Sequence, residues 1–329
     1  MNSAKERKTV QKVSEDAKEL RKLWGGFQSA RVLLTANNYR VFDFLKSSRS
    51  ADEMTEVLKT DARATETLLD ALVGLGLLRK AKMRYQNSTT ANRFLVTGTP
   101  YYQGDILRHA DILWKNWSGL DAVVRTGKPS HVGRDHDSFI RGMHNIASLK
   151  AREVIKAIDM RGIRHALDLG GGPGTYSIEM AKKGVSVTLF DRPETIQIAR
   201  EIVRKSGQRN VDFLEGDFFS DDVGEGYDLV FVSQVFHSFS EADNRHIINK
   251  TKKALGPNGR LVVQEFFINK DRTYPAHSSL FSVNMLVNTA AGRCYSPTEM
   301  KQWLSEAGFR RITQEIVEDT VLVGGNERS

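Results

Sequence analysis

The chain has 329 residues, of which 40% are hydrophobic and 27% charged, with a formal net charge of +8. That length accommodates two domains with sizeable cores, and the composition excludes a disordered or fibrous chain. No apolar run approaches the about 18 residues of a membrane-spanning helix, and the single cysteine, Cys294, excludes an intrachain disulfide and suits the cytoplasm.

The N-terminal half predicts helices. Residues 1–24 alternate charges with sparse apolar positions and lack a signal-peptide core, so they predict a frayed arm or a partner-seeking helix. Residues 30–45 place Val32, Leu33, Ala36, Val41, Phe42 and Leu45 on one stripe, interrupted at Asn37-Asn38. Ser50-Ala-Asp-Glu53 is a capping box that opens a short helix through Leu58. Asp61 caps the next helix, with an expected core face of Thr65, Leu68, Leu69, Leu72 and Leu75 and an end at Gly74 and Gly76. Residues 77–80 and 83–86 then predict a small hairpin. Three short helices followed by a hairpin make a winged helix. Such domains often bind DNA, which keeps a ligand-sensing regulator open as a reading. The candidate recognition helix, 62–75, carries Arg63 as its only basic residue, whereas helices that touch phosphates carry several Lys or Arg. Dimerisation is the better expectation, with no nucleic-acid partner and a merely basic surface.

Residues 101–124 predict one long helix with Ile106, Leu107, Leu113, Trp114, Trp117 and Leu120, and residues 139–158 another with Phe139, Met143, Ile146, Val154, Ile155 and Ile158. The polar loop between them and the start of the second helix hold His131, Asp135, His136, Asp137 and His144. No His-x-x-x-His or Cys-x-x-Cys spacing appears, so a solvated loop without metal is expected.

The C-terminal half alternates strand and helix around His165-Ala-Leu-Asp-Leu-Gly-Gly-Gly-Pro-Gly174. Residues 166–169 predict a buried parallel strand, and residues 175–181 a helix. Glycine between them lets backbone approach a ligand closely. The spacing Asp168-x-Gly170-x-Gly172-x-Gly174 does not fit Gly-x-Gly-x-x-Gly, and no P-loop lysine follows. An acid two residues before the first glycine suits the Rossmann-like enzymes that bind S-adenosylmethionine (SAM). A second strand, 185–190, ends at Asp191, placed to accept ribose hydroxyls. A third, 211–214, leads into Asp217 and Phe218, an acceptor and a stacking ring for adenine. A fourth strand (228–233), a helix (243–255), a fifth strand (260–267), a helix from Ser296-Pro-Thr-Glu299 and a hairpin of 309–317 with 320–324 complete the fold. In open α/β sheets, ligands bind at the carboxyl ends of the strands. Asp168, Asp191, Asp217, His237 and Glu265 all fall at or just past such ends. His237 follows the fourth strand and Glu265 ends the fifth. A histidine with a carboxylate partner is a suitable general base for removing a proton from an attacking hydroxyl, thiol or amine.

Taken together, Asp168-Leu-Gly-Gly-Gly-Pro-Gly174, Phe190-Asp191-Arg-Pro, Glu215-Gly-Asp217-Phe218, Val235-Phe-His237 and Gly259-Arg-Leu-Val-Val-Gln-Glu265 resemble the winged-helix small-molecule O-methyltransferases, the family of caffeate, acetylserotonin and hydroxyneurosporene-type enzymes. The likeness runs from about Phe27 to Val323. It implies metal-independent methyl transfer from SAM to a hydroxyl of a small aromatic acceptor, and a homodimer formed through the N-terminal domain. His237 and Glu265 map onto the base and its orienting acid. Asp168, Gly170, Gly172, Asp191, Asp217, Phe218 and Ser233 form the expected cofactor set, and Trp114, Phe139, Met143, Met285 and Cys294 the expected acceptor pocket. The implied layout is a winged-helix dimerisation domain with an N-terminal arm (1–130), a connecting helix lining the active site (131–160) and a Rossmann-like class I methyltransferase domain (161–329), in an α/β fold class. Three departures stand out. Plant members follow the histidine with Asp-Trp, here Ser238-Phe239. Their second glutamate falls at Cys294, and a lysine four residues before the histidine is Ser233. These leave room for a SAM-binding relative with altered chemistry, such as N- or C-methylation, decarboxylation or hydroxylation.

Overall fold

The computed structural model describes residues 2–130, 132–317 and 320–326, with the side chains of residues 2–10, 321 and 326 left aside. Two compact units emerge, Met1–Arg108 and His109–Ser329. The division falls within the helix Gly104–Trp117 rather than at residue 130.

The first unit opens with one helix, Asn2–Asn38, instead of an arm followed by a separate helix. Gly25 and Gly26 do not interrupt it. Each costs about 1 kcal/mol against alanine, and a flank rich in Leu, Lys, Glu and Arg carries the helix across. The helix ends as expected at the paired asparagines, where Arg40 turns left-handed at φ 54°. Ser50 and Glu53 form the capping box of Ala51–Leu58, and the Asp61 side chain accepts from Ala64 N–H to cap Ala62–Gly74. Thr65, Leu69 and Leu72 are buried on that helix, but Leu75 is 43% exposed, because it stands one residue past the last turn. Strands β1 (Arg49–Ser50), β2 (Leu78–Ala81) and β3 (Arg84–Asn87) make an antiparallel sheet in the order β1-β3-β2. Its core gathers Val41, Phe42, Leu45, Met54, Leu69, Leu72, Leu78 and Tyr85.

The second unit is built on seven strands: β4 (His165–Leu169), β5 (Ser186–Asp191), β6 (Val211–Glu215), β7 (Tyr227–Ser233), β8 (Leu255–Glu265), β9 (Arg310–Val317) and β10 (Thr320–Asn326). Their order is β6-β5-β4-β7-β8-β10-β9. The first five run parallel, and β10 is antiparallel to both neighbours. Side chains alternate between two cores. Ala166, Val187, Leu189 and Phe231 face one; Leu167, Leu169, Phe190 and Val232 face the other. Burial on both faces is why the strands read as continuous apolar runs. Chain order reverses at β4, flanked by β5 and β7, so a crevice opens beyond its carboxyl end.

Two expected helices are broken. The first becomes Gly104–Trp117 and Leu120–Thr126, with Gly119 at the second N-cap. The second becomes His136–Ser148 and Ala151–Ala157. Neither break is marked by proline. The helix Ala276–Asn288, which the sequence reading did not anticipate, is tied to the end of Gly104–Trp117. Trp117 Nε1 donates to Asn284 Oδ1 (2.9 Å), and Asn116 Nδ2 donates to Asn288 Oδ1 (2.8 Å).

Candidate active site

The glycine turn after β4 uses conformations that only glycine adopts freely. Gly170, Gly172 and Gly174 have φ of 70°, 53° and 75°. A Cβ on Gly170 would stand 2.7 Å from Val235 Cγ2, whereas nothing lies within 4 Å of that position on Gly172. The backbone at Gly172 is therefore open to close approach. Its N–H donates to Asp191 Oδ2 (2.8 Å), while Arg192 N–H donates to Asp191 Oδ1 (2.8 Å). The end of β5 thus holds the glycine turn in place. Burial pushes the Asp191 carboxyl above the usual carboxylate range, and those two N–H groups oppose the rise.

Asp168 is fully buried. Its Oδ2 accepts from Ser177 Oγ (2.6 Å), and its Oδ1 has no hydrogen-bond partner among the described residues. Burial pushes this carboxyl up to about 7; the Ser177 hydroxyl opposes the shift and the Asp191 charge adds to it. A carboxyl whose pKa is raised on folding keeps its proton longer in the folded state. Stability should therefore fall as pH rises from about 4 to about 7, by at most on the order of 4 kcal/mol. Asp168→Asn should flatten that slope and leave the ligand-free protein more stable than wild type at pH 8. Denaturant unfolding across pH 5 to 8 checks this, and parallel curves for the two proteins would contradict it.

The loop after β6 carries Asp217 and Phe218. Asp217 is exposed, and its Oδ1 already accepts Phe219 N–H (2.7 Å), leaving Oδ2 for a ligand. The Phe218 ring packs against Phe219 (5.2 Å) and Phe239 (5.5 Å), and its Cε1 lies 3.8 Å from where a Gly170 Cβ would be. The glycine turn and the Phe218 ring are thus brought together. The Ser233 hydroxyl donates to Gln264 Oε1 (2.7 Å) across the β7–β8 pair.

His237 sits on a single 3-10 turn, Phe236–Ser238. Gln234 at φ 55° swings the chain out of β7, and Asn244 Nδ2 holds Phe236 O at 2.9 Å. Glu265 ends β8. Its Oε2 lies 2.8 Å from His237 Nδ1, and its Oε1 accepts His237 N–H at 3.3 Å. Both side chains are buried. Against a carboxylate, Nδ1 donates, and in the neutral imidazole Nε2 then carries the lone pair. The Phe281 ring stands edge-on to the imidazole at 4.8 Å, and Phe266 meets Phe281 at 5.1 Å. Neither aromatic was singled out from the sequence. The only sequence signal for Phe266 was its place beside Glu265.

The other expected pocket residues scatter. Trp114 and Met143 are partly buried. Phe139 is 38% exposed and faces the His109 ring at 5.1 Å. Met285, one turn beyond Phe281, is buried. Cys294 is buried near Glu265. Burial pushes its thiol up to about 11, a Ser282 hydroxyl opposing and the Glu265 charge adding to the rise, so the thiol is neutral at physiological pH. The polar loop residues turn out to have structural partners. Asp135 caps the helix His136–Ser148, His136 Nε2 lies 3.2 Å from Thr195 Oγ1, and His144 Nδ1 lies 2.8 Å from Thr175 Oγ1. His131 lies outside the described residues.

Known families account for this arrangement. The profile of an O-methyltransferase domain matches residues 103–310, and that of an O-methyltransferase dimerisation domain matches residues 22–97. This chain belongs to the O-methyltransferase family. It is a SAM-dependent methyltransferase. Among its relatives, the 3-hydroxy-5-methyl-1-naphthoate 3-O-methyltransferase of Streptomyces sahachiroi is 31% identical over 303 residues, covering 87% of this chain and 88% of that protein. The acetylserotonin O-methyltransferase of Gallus gallus is 31% identical over 314 residues, covering 87% and 90%. The crystal structure of human N-acetylserotonin methyltransferase in complex with SAM superposes with a TM-score of 0.88 at 26% identity, over 95% of this chain and 98% of that one. PigF with SAH superposes at a TM-score of 0.85 and 25% identity, over 94% and 99%. No helix among the described residues is long and apolar enough to cross a membrane.

Proposed function

We propose that this methyltransferase moves the methyl group of SAM to the hydroxyl of a small aromatic metabolite, with His237 as general base. One observation carries the reading: the 2.8 Å contact between His237 Nδ1 and Glu265 Oε2, which leaves Nε2 as the proton acceptor. The names of the relatives, a hydroxynaphthoate and an acetylserotonin enzyme, support an aromatic hydroxyl. The residues at the crevice fit SAM. The unpartnered Asp168 Oδ1 suits a cationic amino-acid tail, the open Gly172 backbone admits close approach, and Asp191, Asp217 and Phe218 offer acceptors and a ring for the adenosyl part.

Bound SAM supplies a methyl group on a sulfonium, electrophilic without any metal. The chain's own residues do the rest. Phe281 and Phe266 wall the acceptor beside the imidazole. As the acceptor oxygen bonds to the methyl carbon and the carbon–sulfur bond breaks, its electron pair staying on sulfur, the acceptor's proton would pass to His237 Nε2. The imidazolium so formed keeps its Nδ1–H on Glu265, whose charge stabilises it. Incubation with SAM and simple phenols or naphthols should give the methyl ether and one S-adenosylhomocysteine per turnover. S-adenosylhomocysteine formed without an ether would overturn the reading.

The N-terminal unit is proposed as a winged helix used for homodimerisation, in a cytoplasmic protein. Val13, Leu20, Leu23, Trp24 and Phe27 on the first helix are each more than half exposed. An apolar stripe of that length is what a second copy would cover. Light scattering should give twice the 37.0 kDa chain mass. Leu20→Glu with Phe27→Glu should give the single-chain mass at micromolar concentration, and an unchanged mass would count against this interface.

A further inference from the structure

Lys250 lies on the helix Glu241–Ala254 and is not among the residues assigned above to SAM or to the acceptor. Its Nζ donates to Phe218 O at 2.7 Å and also to Asp221 O. Both acceptors are main-chain carbonyls of the one loop that carries Asp217 and Phe218. Asp221 closes the same loop from within. Its Oδ2 accepts Asp217 N–H (2.8 Å), and its Oδ1 accepts the Ser220 hydroxyl (3.1 Å). The Asp217 N–H bond holds the Asp221 carboxyl below the usual range, with Ser220 and then the Lys250 charge adding to that effect. At the loop's start, Gly216 fits against Phe190, whose Cζ would be 2.8 Å from an added Cβ. The loop is thus pinned at its root by glycine, internally by Asp221 and at its far side by Lys250.

We propose that Lys250 is a positioning residue for the cofactor: by bridging the carbonyls of Phe218 and Asp221 it fixes the loop that presents Asp217 and Phe218 to the adenine of SAM. The inference rests on the reading that those two side chains hold adenine. A cation shared between two carbonyls orders main chain, and affinity rises when a binding loop is ordered before the ligand arrives. Without the clamp, SAM must order the loop at its own cost. That ordering cost should lower SAM affinity about tenfold. The lysine touches neither His237 nor the acceptor wall, so turnover at saturating SAM should not change.

The test is calorimetric titration of the full-length protein with SAM, alongside steady-state kinetics and amide exchange. Lys250→Met should weaken SAM about tenfold, leave kcat and the acceptor KM within about twofold, and speed exchange only across 216–221. Lys250→Arg, which keeps the charge and can donate to both carbonyls, should restore most of the affinity. If Asp217→Ala weakens SAM binding while Lys250→Met does not, the clamp is wrong and the adenine reading stands. If Asp217→Ala and Phe218→Ala both bind SAM as wild type does, the adenine reading fails and takes the clamp with it. A Lys250→Met protein that loses kcat and SAM affinity in equal measure, with a lowered melting temperature, would show a merely structural lysine and overturn the proposal.

Discussion

His237→Ala should lower turnover by about 10²- to 10⁴-fold while leaving SAM affinity within about twofold. A phenol, with a pKa of about 10, is almost wholly protonated at neutral pH, and a positioned base contributes a factor of that size. The imidazole is buried and held through Nδ1 by Glu265, and the His237 main-chain N–H donates to the same carboxylate, so Nε2 has one fixed direction. None of the groups proposed to hold SAM touches it. Glu265→Gln should cost less than the loss of the base, because an amide still accepts from Nδ1–H but brings no charge to steady the imidazolium. Cys294 stands close to this pair and is neutral, so Cys294→Ser should leave turnover nearly intact. Quench-flow single turnovers with SAM saturating separate the chemical step from binding. A His237→Ala enzyme with near-normal single turnovers would mean catalysis by proximity alone, or chemistry other than transfer to a neutral hydroxyl.

Asp191→Ala should weaken SAM binding by about 10- to 150-fold, the equivalent of roughly 1.5–3 kcal/mol for a hydrogen bond to a charged group. The carboxylate holds two backbone N–H groups, Gly172 and Arg192, so its removal both deletes the ribose acceptor and releases the glycine turn. Asp217→Ala should cost less, because that side chain is exposed and one of its oxygens is already engaged by Phe219 N–H. Titration calorimetry ranks the two variants. Equal affinities for Asp191→Ala and wild type would remove the β5 end from the cofactor site.

The features that were legible in the sequence are those set by short-range chemistry. Ser50 with Glu53, Asp61 and Ser296 with Glu299 announced helix starts, because a cap needs only a side chain and the next turn. The glycines around Gly172 and the acids ending successive strands announced a crevice, because parallel strands deliver their carboxyl ends to one edge. His237 and Glu265 could be paired in advance because β7 and β8 are neighbours. Long-range packing left weaker marks. The helix Ala276–Asn288 has apolar residues on every side, with Leu280 61% exposed and Met285 buried, so no single stripe announced it or its Phe281. The breaks before Leu120 and after Ser148 carry no proline, and the apolar spacing runs on through both. Position alone groups Ser233 with the cofactor residues, and its hydrogen bond to the Gln264 side-chain amide leaves no mark in the sequence.

The central claim is that His237 accepts the acceptor's proton during transfer, and a series of phenols of falling pKa tests it most directly. An acceptor already ionised has no proton to lose, so the base becomes superfluous as acceptor pKa drops from about 10 toward the working pH. The wild-type to His237→Ala ratio of single-turnover rates should shrink steadily along the series and approach one for acceptors ionised at that pH. A ratio that stays constant across the series would contradict general-base catalysis and leave His237 a structural residue.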